Sequence, residues 1–362
     1  MIGNVMTYSG IVTKIHAMRA KLLKSDDYRR LASMQTVTDI IHYLKDTAAY
    51  GPLIAQMDES LYHRGNIEKI LAQSLYGDYT RLYHFADMKQ KEFLKLFKKR
   101  YEADLIRYCL RIVFNHYKVP FDLDYKKEFF DKYSDIKIDQ LATSENIASL
   151  IDNLRETEYY EPLIRIRDSG AETLFDYELA LDLYYFSKMW GNRKKAGTKS
   201  DVEIFTKDMG TNIDFLNLQW IYRAKKYYHM MPPDIYTLLM PIHYRLLNKQ
   251  IKALVEAPSI EEFFRVLNDT FYGRKYQFDE KHNVESIVNQ CLKQIFTKAF
   301  RNHSYSMSSL CGYLFLKEEE IDKITTVLEC IRYGLSERET LQYISDSQSQ
   351  DSRQQGGNRE WL

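Results

Sequence analysis

Two stretches of this chain are ungapped copies of each other. Leu31 to Ile54 reads LASMQTVTDIIHYLKDTAAYGPLI and Leu141 to Ile164 reads LATSENIASLIDNLRETEYYEPLI, with nine of 24 positions identical. Unrelated stretches of this composition would share roughly one or two. A more diverged third copy begins at Leu254, LVEAPSIEEFFRVLNDTFYG, and the anchor threonines Thr47, Thr157 and Thr270 lie 110 and 113 residues apart. A chain built this way is expected to fold as one module used three times.

The repeated pattern has a physical meaning. Thr36, Asn146 and Ser259 are good helix N-caps, and Thr36–Asp39 and Ser259–Glu262 approximate capping boxes. Apolar residues follow at i, i+3, i+4 and i+7: Val37, Ile40, Ile41, Leu44; then Ile147, Leu150, Ile151, Leu154; then Ile260, Phe263, Phe264, Leu267. That spacing makes one buried helical stripe. Burying four such side chains contributes on the order of 6–12 kcal/mol gross. Fixing about eleven backbone residues costs as much or more. The helix cannot stand alone, and it is expected to pack against the rest of its own module.

Each copy continues with a helix carrying an early glutamate (Glu68, Glu178, Glu285), then a closing helix: YEADLIRYCLRIV from Tyr101, IDFLNLQWIYRAK from Ile213 and EIDKITTVLECI from Glu320. Aligned on the acids Glu102, Asp214 and Glu320, the closing helices repeat their apolar spacing, which Lys225 interrupts in the second. An opening helix is predicted at Ile11 to Leu23 and at Tyr236 to Ala253, with a weak equivalent around Phe121 to Asp139. The chain thus reads as all-α, in three similar helical domains: 1–118, 119–232 and 233–343. Pro120 and Pro232-Pro233 sit at the joins. The polar stretch 344–362, rich in Ser, Gln and Gly, is expected to be disordered. Gly 14 and Pro 7 are few for 362 residues, which agrees with helix throughout.

Most functional classes are excluded by what is missing. Lys+Arg 51 against Asp+Glu 50 leaves a charge of +1, which argues against broad nucleic-acid binding. The longest uncharged run, Asn302 to Leu316, is short and polar, so no membrane span is predicted. The first residues show no basic, then apolar, leader pattern. Cys109, Cys291, Cys311 and Cys330 form no CxxC and are expected to be reduced thiols. No HExxH, GxSxG or GxGxxG occurs, and the histidines are scattered, so no catalytic, cofactor or metal residues are assigned. The segment Gly191 to Ser200 mimics a phosphate loop but has one residue too many between its glycines, and Thr198 separates Gly197 from Lys199.

Three acids at equivalent positions remain. Glu102, Asp214 and Glu320 read either as first-turn carboxylates favoured by the helix dipole or as a repeated grip for a basic partner. Arg111 and Arg223 are likewise equivalent, with Glu329 in the third copy. These five are the candidate partner-binding residues. The basic cluster KLFKKR, Lys95 to Arg100, is expected to be a solvated helix face.

Taken in order, several segments resemble a known family, the C subunit of prokaryotic V/A-type rotary ATPases, similar to the d subunit of the eukaryotic vacuolar enzyme. The likeness is carried by the opening YSGIVTKIHAMRAKLLKSDDYRRL from Tyr8, the signature Leu44-Thr47-Tyr50-Leu53 with its copy Leu154-Thr157-Tyr160-Leu163, and IDFLNLQWIYRAK. Leu105 departs from the pattern where the family's closing helix carries the Asn seen at Asn217. The resemblance implies three helical domains arranged as a funnel about a pseudo-threefold axis. It implies a non-catalytic role without cofactors, at the cytoplasmic face of the cell membrane. There the protein would work as a monomer within the complex, between the central shaft of the D and F subunits and the membrane rotor ring of proteolipid subunits, close to the stator membrane subunit. Rotation passed through it would couple ATP hydrolysis or synthesis to proton or sodium transport. A generic α-helical repeat scaffold is the competing class, but common solenoid repeats run about 20–50 residues rather than about 110.

Overall fold

Each repeated cap starts a helix where the sequence places it. Thr36 accepts from the Asp39 amide while Asp39 returns a bond to the Thr36 amide, opening helix Val37–Lys45. Asn146 and Ser149 close the same box ahead of Ile147–Asp152. At Ile260–Asn268 only half the expected box forms. Ser259 accepts from the Glu262 amide, but the Glu262 carboxylate turns outward to Arg265 at 2.5 and 2.7 Å. The computed structural model describes residues 2–115, 122–195, 197–279, 284, 287, 291, 294 and 305–346. Among these residues all regular structure is helical. Glu285 and residues 347–362 lie outside them; the first three residues of the stretch expected to be disordered, 344–346, instead end helix Glu337–Asp346, with Ile344 buried.

The stripes are buried as their spacing predicts: in each copy the first member is half-covered and the other three are buried. What covers them differs from expectation. Ile40, Ile41 and Leu44 pack with Ile67, Ile70 and Leu71 of their own copy, but also with Ile324, Val327 and Leu328 from the third copy's closing helix, Met307–Arg332. Ile147–Asp152 packs on Lys99–Phe114, the closing helix of the first copy. The rings of Phe263 and Phe264 lie 5.9 and 5.8 Å from Tyr222 on Lys199–Lys226, which closes the second. The expectation of self-contained modules is corrected. Each copy leaves its stripe half-covered and receives the closing helix of the copy before it.

By its contacts the chain forms two compact units, Met1–Asp78 with Glu203–Leu362, and Tyr79–Val202. Each unit groups closing helices with the copies that receive them. In the second unit Lys99–Phe114 lies against Leu174–Asn192, and Tyr79 gathers Tyr101, Phe129 and Tyr133 at 5.2–6.1 Å in edge-on contacts. In the first unit Met307–Arg332 packs on helices Ile2–Arg19, Ser25–Ala32 and Val37–Lys45.

The predicted opening helix from Tyr236 to Ala253 is interrupted. It forms Pro232–Leu238 and Asn248–Glu256, with irregular backbone between. Pro241 cannot donate to a helical ladder, and Asn217 holds the Met240 amide and carbonyl at 2.8 and 3.2 Å, taking both out of helical pairing. The phosphate-loop mimic is a short connector: the 3-10 turn Arg193–Lys195, then Thr198 capping Lys199–Lys226 through Asp201. Lys225, which breaks its stripe, donates to the Ala257 carbonyl at 2.7 Å, just past the end of Asn248–Glu256.

Candidate functional site

Three equivalent carboxylates on three closing helices end in the same kind of seat. Glu102 accepts from the Tyr159 hydroxyl at 2.8 Å and the Ser134 hydroxyl at 2.6 Å. Asp214 accepts from the Tyr272 hydroxyl at 2.8 Å and from the amides of Tyr244, Arg245 and Leu246 at 3.0, 2.6 and 3.3 Å. Glu320 accepts from the Tyr50 hydroxyl at 2.6 Å and the Leu23 amide at 2.5 Å. In every case the tyrosine follows the anchor threonine of the next copy, and the second donor lies between that copy's opening helix and the helix after it. The pairing order is one to two, two to three, and three back to one.

All three acids are buried. Only Glu102 sits in the first turn of its helix; Asp214 and Glu320 lie far inside theirs, so the dipole accounts for one position and not for the repetition. A buried carboxylate must be paired or richly hydrogen-bonded, and the copies solve this differently. Glu102 pairs with Lys98, the N-cap residue one turn before it. Glu320 pairs with Lys317 at 2.9 Å, both side chains 2% exposed, and the Lys317 ammonium also donates to the Tyr50 hydroxyl at 2.8 Å and lies 4.1 Å from that ring. Asp214 has its three backbone amides instead. Burial raises the Asp214 carboxyl above its ordinary value, against the lowering pull of those amides and of Tyr272. Burial and the facing carboxylate hold the phenols of Tyr50, Tyr159 and Tyr272 far above the usual tyrosine range, so each remains a donor.

The signature tyrosine of the second copy is shifted by one residue from its expected position. Tyr159, 2% exposed, fills the seat, whereas Tyr160 is half-covered at the surface. Thr47 reaches its tyrosine amide three residues on, but Thr157 reaches it two residues on. The basic cluster is also corrected. Lys98 and Lys99 leave the solvent to pair with Glu102 and Glu158. A signal for the lysines was present, since Lys98 and Lys317 each precede their acid by one helical turn.

The first of the two equivalent arginines faces an early glutamate. Arg111 pairs with Glu178 at 2.6 Å. In the third copy the polarity reverses: Glu329 stands at the arginine's position, and Arg64 bridges it to Glu68 at 2.8 and 2.6 Å. Arg223 is half-buried on the second closing helix, and its repeat-equivalent acid, Glu285, lies outside the described residues. Arg111→Glu is expected to cost about 1–2 kcal/mol in urea denaturation by setting two carboxylates side by side. Adding Glu178→Arg should restore most of it. Equal loss in the single and double variants would show that the pair does not hold the two copies.

Asp208 lies on the same helix as Asp214, and burial pushes its carboxyl up to about 7 despite Lys207 beside it. A raised carboxyl favours the folded state below the ordinary carboxyl pKa, and that advantage is lost as pH climbs to about 7. Each pH unit in that window removes about 1.4 kcal/mol. Asp208→Asn is therefore expected to melt higher than the parent at pH 8 and alike at pH 4. A gap independent of pH would contradict this.

Among the described residues no cluster of His, Cys, Asp and Glu could hold a metal ion, and no helix is long and apolar enough to cross a membrane. The four cysteines are buried thiols outside any disulfide, and burial pushes the Cys109 thiol up to about 12. Among the described residues the three acids are thus fixed joints, each carboxylate bonded to a tyrosine hydroxyl of the receiving copy.

Comparison with known proteins adds a consistent likeness. The sequence model of a family described as ATP synthase (C/AC39) subunit matches residues 11–343. The chain is similar to the C subunit of the A-type ATP synthase of Methanocaldococcus jannaschii, 21% identical over 342 residues covering 91% of this chain and 84% of that protein. It is similar to the protein of the same name from Pyrococcus abyssi, at 23% over 350 residues, covering 94% and 90%. The Methanosarcina mazei protein of that name matches at 25% over 268 residues, 73% of this chain and 71% of its own.

Proposed function

Because the chain belongs to the ATP synthase (C/AC39) subunit family, we propose that it is the non-catalytic central-stalk component of a V/A-type rotary ATPase. It sits on the cytoplasmic mouth of the membrane rotor ring and receives the end of the shaft made by the D and F subunits. Rotation driven by ATP in the catalytic head passes through it to the ring, or in the reverse direction during synthesis.

The observation that carries this reading is the cyclic order of the three acid–tyrosine joints. Modules at 1–118, 119–232 and 233–343, each locked to the next and the last to the first, are what a pseudo-threefold funnel requires. A torque coupler needs stiffness at such joints. Buried, fully bonded carboxylates supply it, because a small rotation at the joint would leave several desolvated donors without an acceptor. On this reading Glu102, Asp214, Glu320 and Arg111 act on the partners through the joints they hold, and Arg223 from its half-buried place on the second closing helix.

Co-expression with the shaft and ring proteins tests the proposal. The ring and shaft are expected to co-purify only when this chain is present, and the chain alone is expected to hydrolyse no ATP. Shaft and ring associating equally well without it, or hydrolysis surviving stringent purification, would overturn the assignment.

A further inference from the structure

The connector between the opening helix and the next one differs in length among the copies. It runs over 20–24 in the first copy, 134–137 in the second and 239–247 in the third. In all three it supplies the second donor to the joint: Leu23, Ser134, or Tyr244 to Leu246. The shorter connectors already do this, so the joint alone does not account for the extra length of the third.

The long connector is held firmly from behind. Asn217 fixes the Met240 amide and carbonyl, and Asp214 takes the amides of Tyr244, Arg245 and Leu246. Tyr244 lies so close to Gly210 that a Cβ there would come within 2.5 Å of its ring. On this fixed backbone the Arg245 side chain is exposed, its guanidinium 5.0 Å from the Tyr244 ring and 5.2 Å from the Phe271 ring. Among the described residues that guanidinium makes no hydrogen bond or ion pair. Phe271 is 50% exposed, and Leu247, two residues beyond Arg245, is 55% exposed. From 235 to 255 the chain carries Arg245, Lys249 and Lys252 and no Asp or Glu. The exposed acid before Phe271, Asp269, has Arg274 donating to its carbonyl at 3.3 Å.

We infer that this surface, the connector 239–247 with Phe271, docks an acidic segment of a partner protein. A guanidinium already resting against two rings loses little freedom on binding. Its planar fork matches a carboxylate through two parallel bonds. Leu247 and Phe271 supply apolar contacts that keep water from such a pair, and an arginine set among apolar neighbours is the composition of an interface hot spot. The acid-free stretch selects an acidic partner and repels a basic one. Because the Arg245 amide is bonded to Asp214 at 2.6 Å, force applied at this arginine enters the joint between the second and third copies directly. Placing the partner within the rotary complex rests on the central-stalk reading; the acidic chemistry of the partner does not.

Two experiments on the full-length chain test this. In the first, a fluorescein-labelled Glu-Glu-Leu-Glu-Glu-Leu peptide is titrated at low ionic strength and followed by anisotropy. Arg245→Glu is expected to bind it about tenfold more weakly, with Arg245→Lys in between because an ammonium lacks the fork. Arg165→Glu, the same charge change on an exposed helix of the other unit, is expected to leave binding unchanged. The urea midpoint of Arg245→Glu should match the parent, since the exposed side chain is altered and the amide bonded to Asp214 remains. Equal affinity of parent and Arg245→Glu, or an equal loss in Arg165→Glu, would overturn the inference. In the second experiment the shaft assembly and the ring are immobilised separately. Arg245→Glu is expected to weaken binding to one of them about thirtyfold and to flatten its dependence on salt. Binding of both partners unchanged by Arg245→Glu would overturn the docking surface and leave the central-stalk reading standing. A parent that binds neither would overturn the central-stalk reading, and the peptide titration then decides on the surface by itself. A parent dimer seen by light scattering and lost in Arg245→Glu would make the occupant a second copy of this chain and overturn the assignment to another protein.

Discussion

Asp214→Ala is expected to lower the free energy of unfolding by about 3–5 kcal/mol, read as a lower urea midpoint at unchanged slope. The carboxylate is the acceptor for the amides of Tyr244, Arg245 and Leu246 and for the Tyr272 hydroxyl. Removing it leaves four donors facing the space that a fully buried carboxylate had filled. Each buried donor left without an acceptor costs about 1–3 kcal/mol, partly relieved where the backbone can relax. Pro241 and the Asn217 clamp on Met240 limit that relaxation, so the segment cannot simply resume a helix. Asp214→Asn should fall between, because its amide keeps one acceptor oxygen but turns an NH2 toward donors. Tyr272→Phe, which removes a single bond and leaves the ring 4.6 Å from Phe215 in a tilted contact, is expected to cost only about 1–2 kcal/mol. A loss below about 1 kcal/mol for the alanine variant would mean that the nest of amides reaches solvent and that this joint is not rigid.

The helices and their buried faces were legible because they are local. A stripe at i, i+3, i+4 and i+7 marks a face wherever it occurs, and Thr36 or Asn146 ahead of it marks the start. The same pattern is silent about the cover. Nothing in Ile40, Ile41 and Leu44 points to Ile324 or Leu328, nearly three hundred residues away, because apolar packing is non-directional and any complementary stripe satisfies it. The acids were found through their equivalence, yet their seats were not. Leu23, Ser134 and Tyr244–Leu246 serve Glu320, Glu102 and Asp214 through an amide, a hydroxyl and three amides, so no residue type repeats there to betray the role. Tyr159 was missed for a related reason. Ungapped alignment matched Tyr160 to Tyr50, and only the turn geometry after Thr157, tighter by one residue than after Thr47, brings Tyr159 inward. The broken helix near Pro241 was the one readable failure: the proline was visible, and the apolar run around it outweighed it.

The joint between the last copy and the first should respond most sharply to the loss of its cation. Lys317→Met is expected to cost about 3–5 kcal/mol, because it strands the Glu320 carboxylate in a site that is 2% exposed, with only a phenol and one amide to satisfy it. A double variant, Lys317→Met with Glu320→Gln, removes both charges and keeps a polar group for Tyr50 and Leu23. It should recover more than half of that loss, since a buried ion pair adds little over a neutral pair of similar shape. The equivalent change in the first copy, Lys98→Met, gives the internal control. Lys98 is 12% exposed, and Glu102 retains the Tyr159 and Ser134 hydroxyls, so about 1–2 kcal/mol is expected there. Chemical denaturation of these variants and of Glu320→Gln alone, analysed as a double-mutant cycle for the 317–320 pair, separates the coupling from the loss of lysine packing over the Tyr50 ring. If Lys317→Met and Lys98→Met cost the same, the last-to-first joint is no more sensitive to charge than the others. A double variant as unstable as Lys317→Met alone would assign the cost to the lost ring contact instead of the stranded carboxylate.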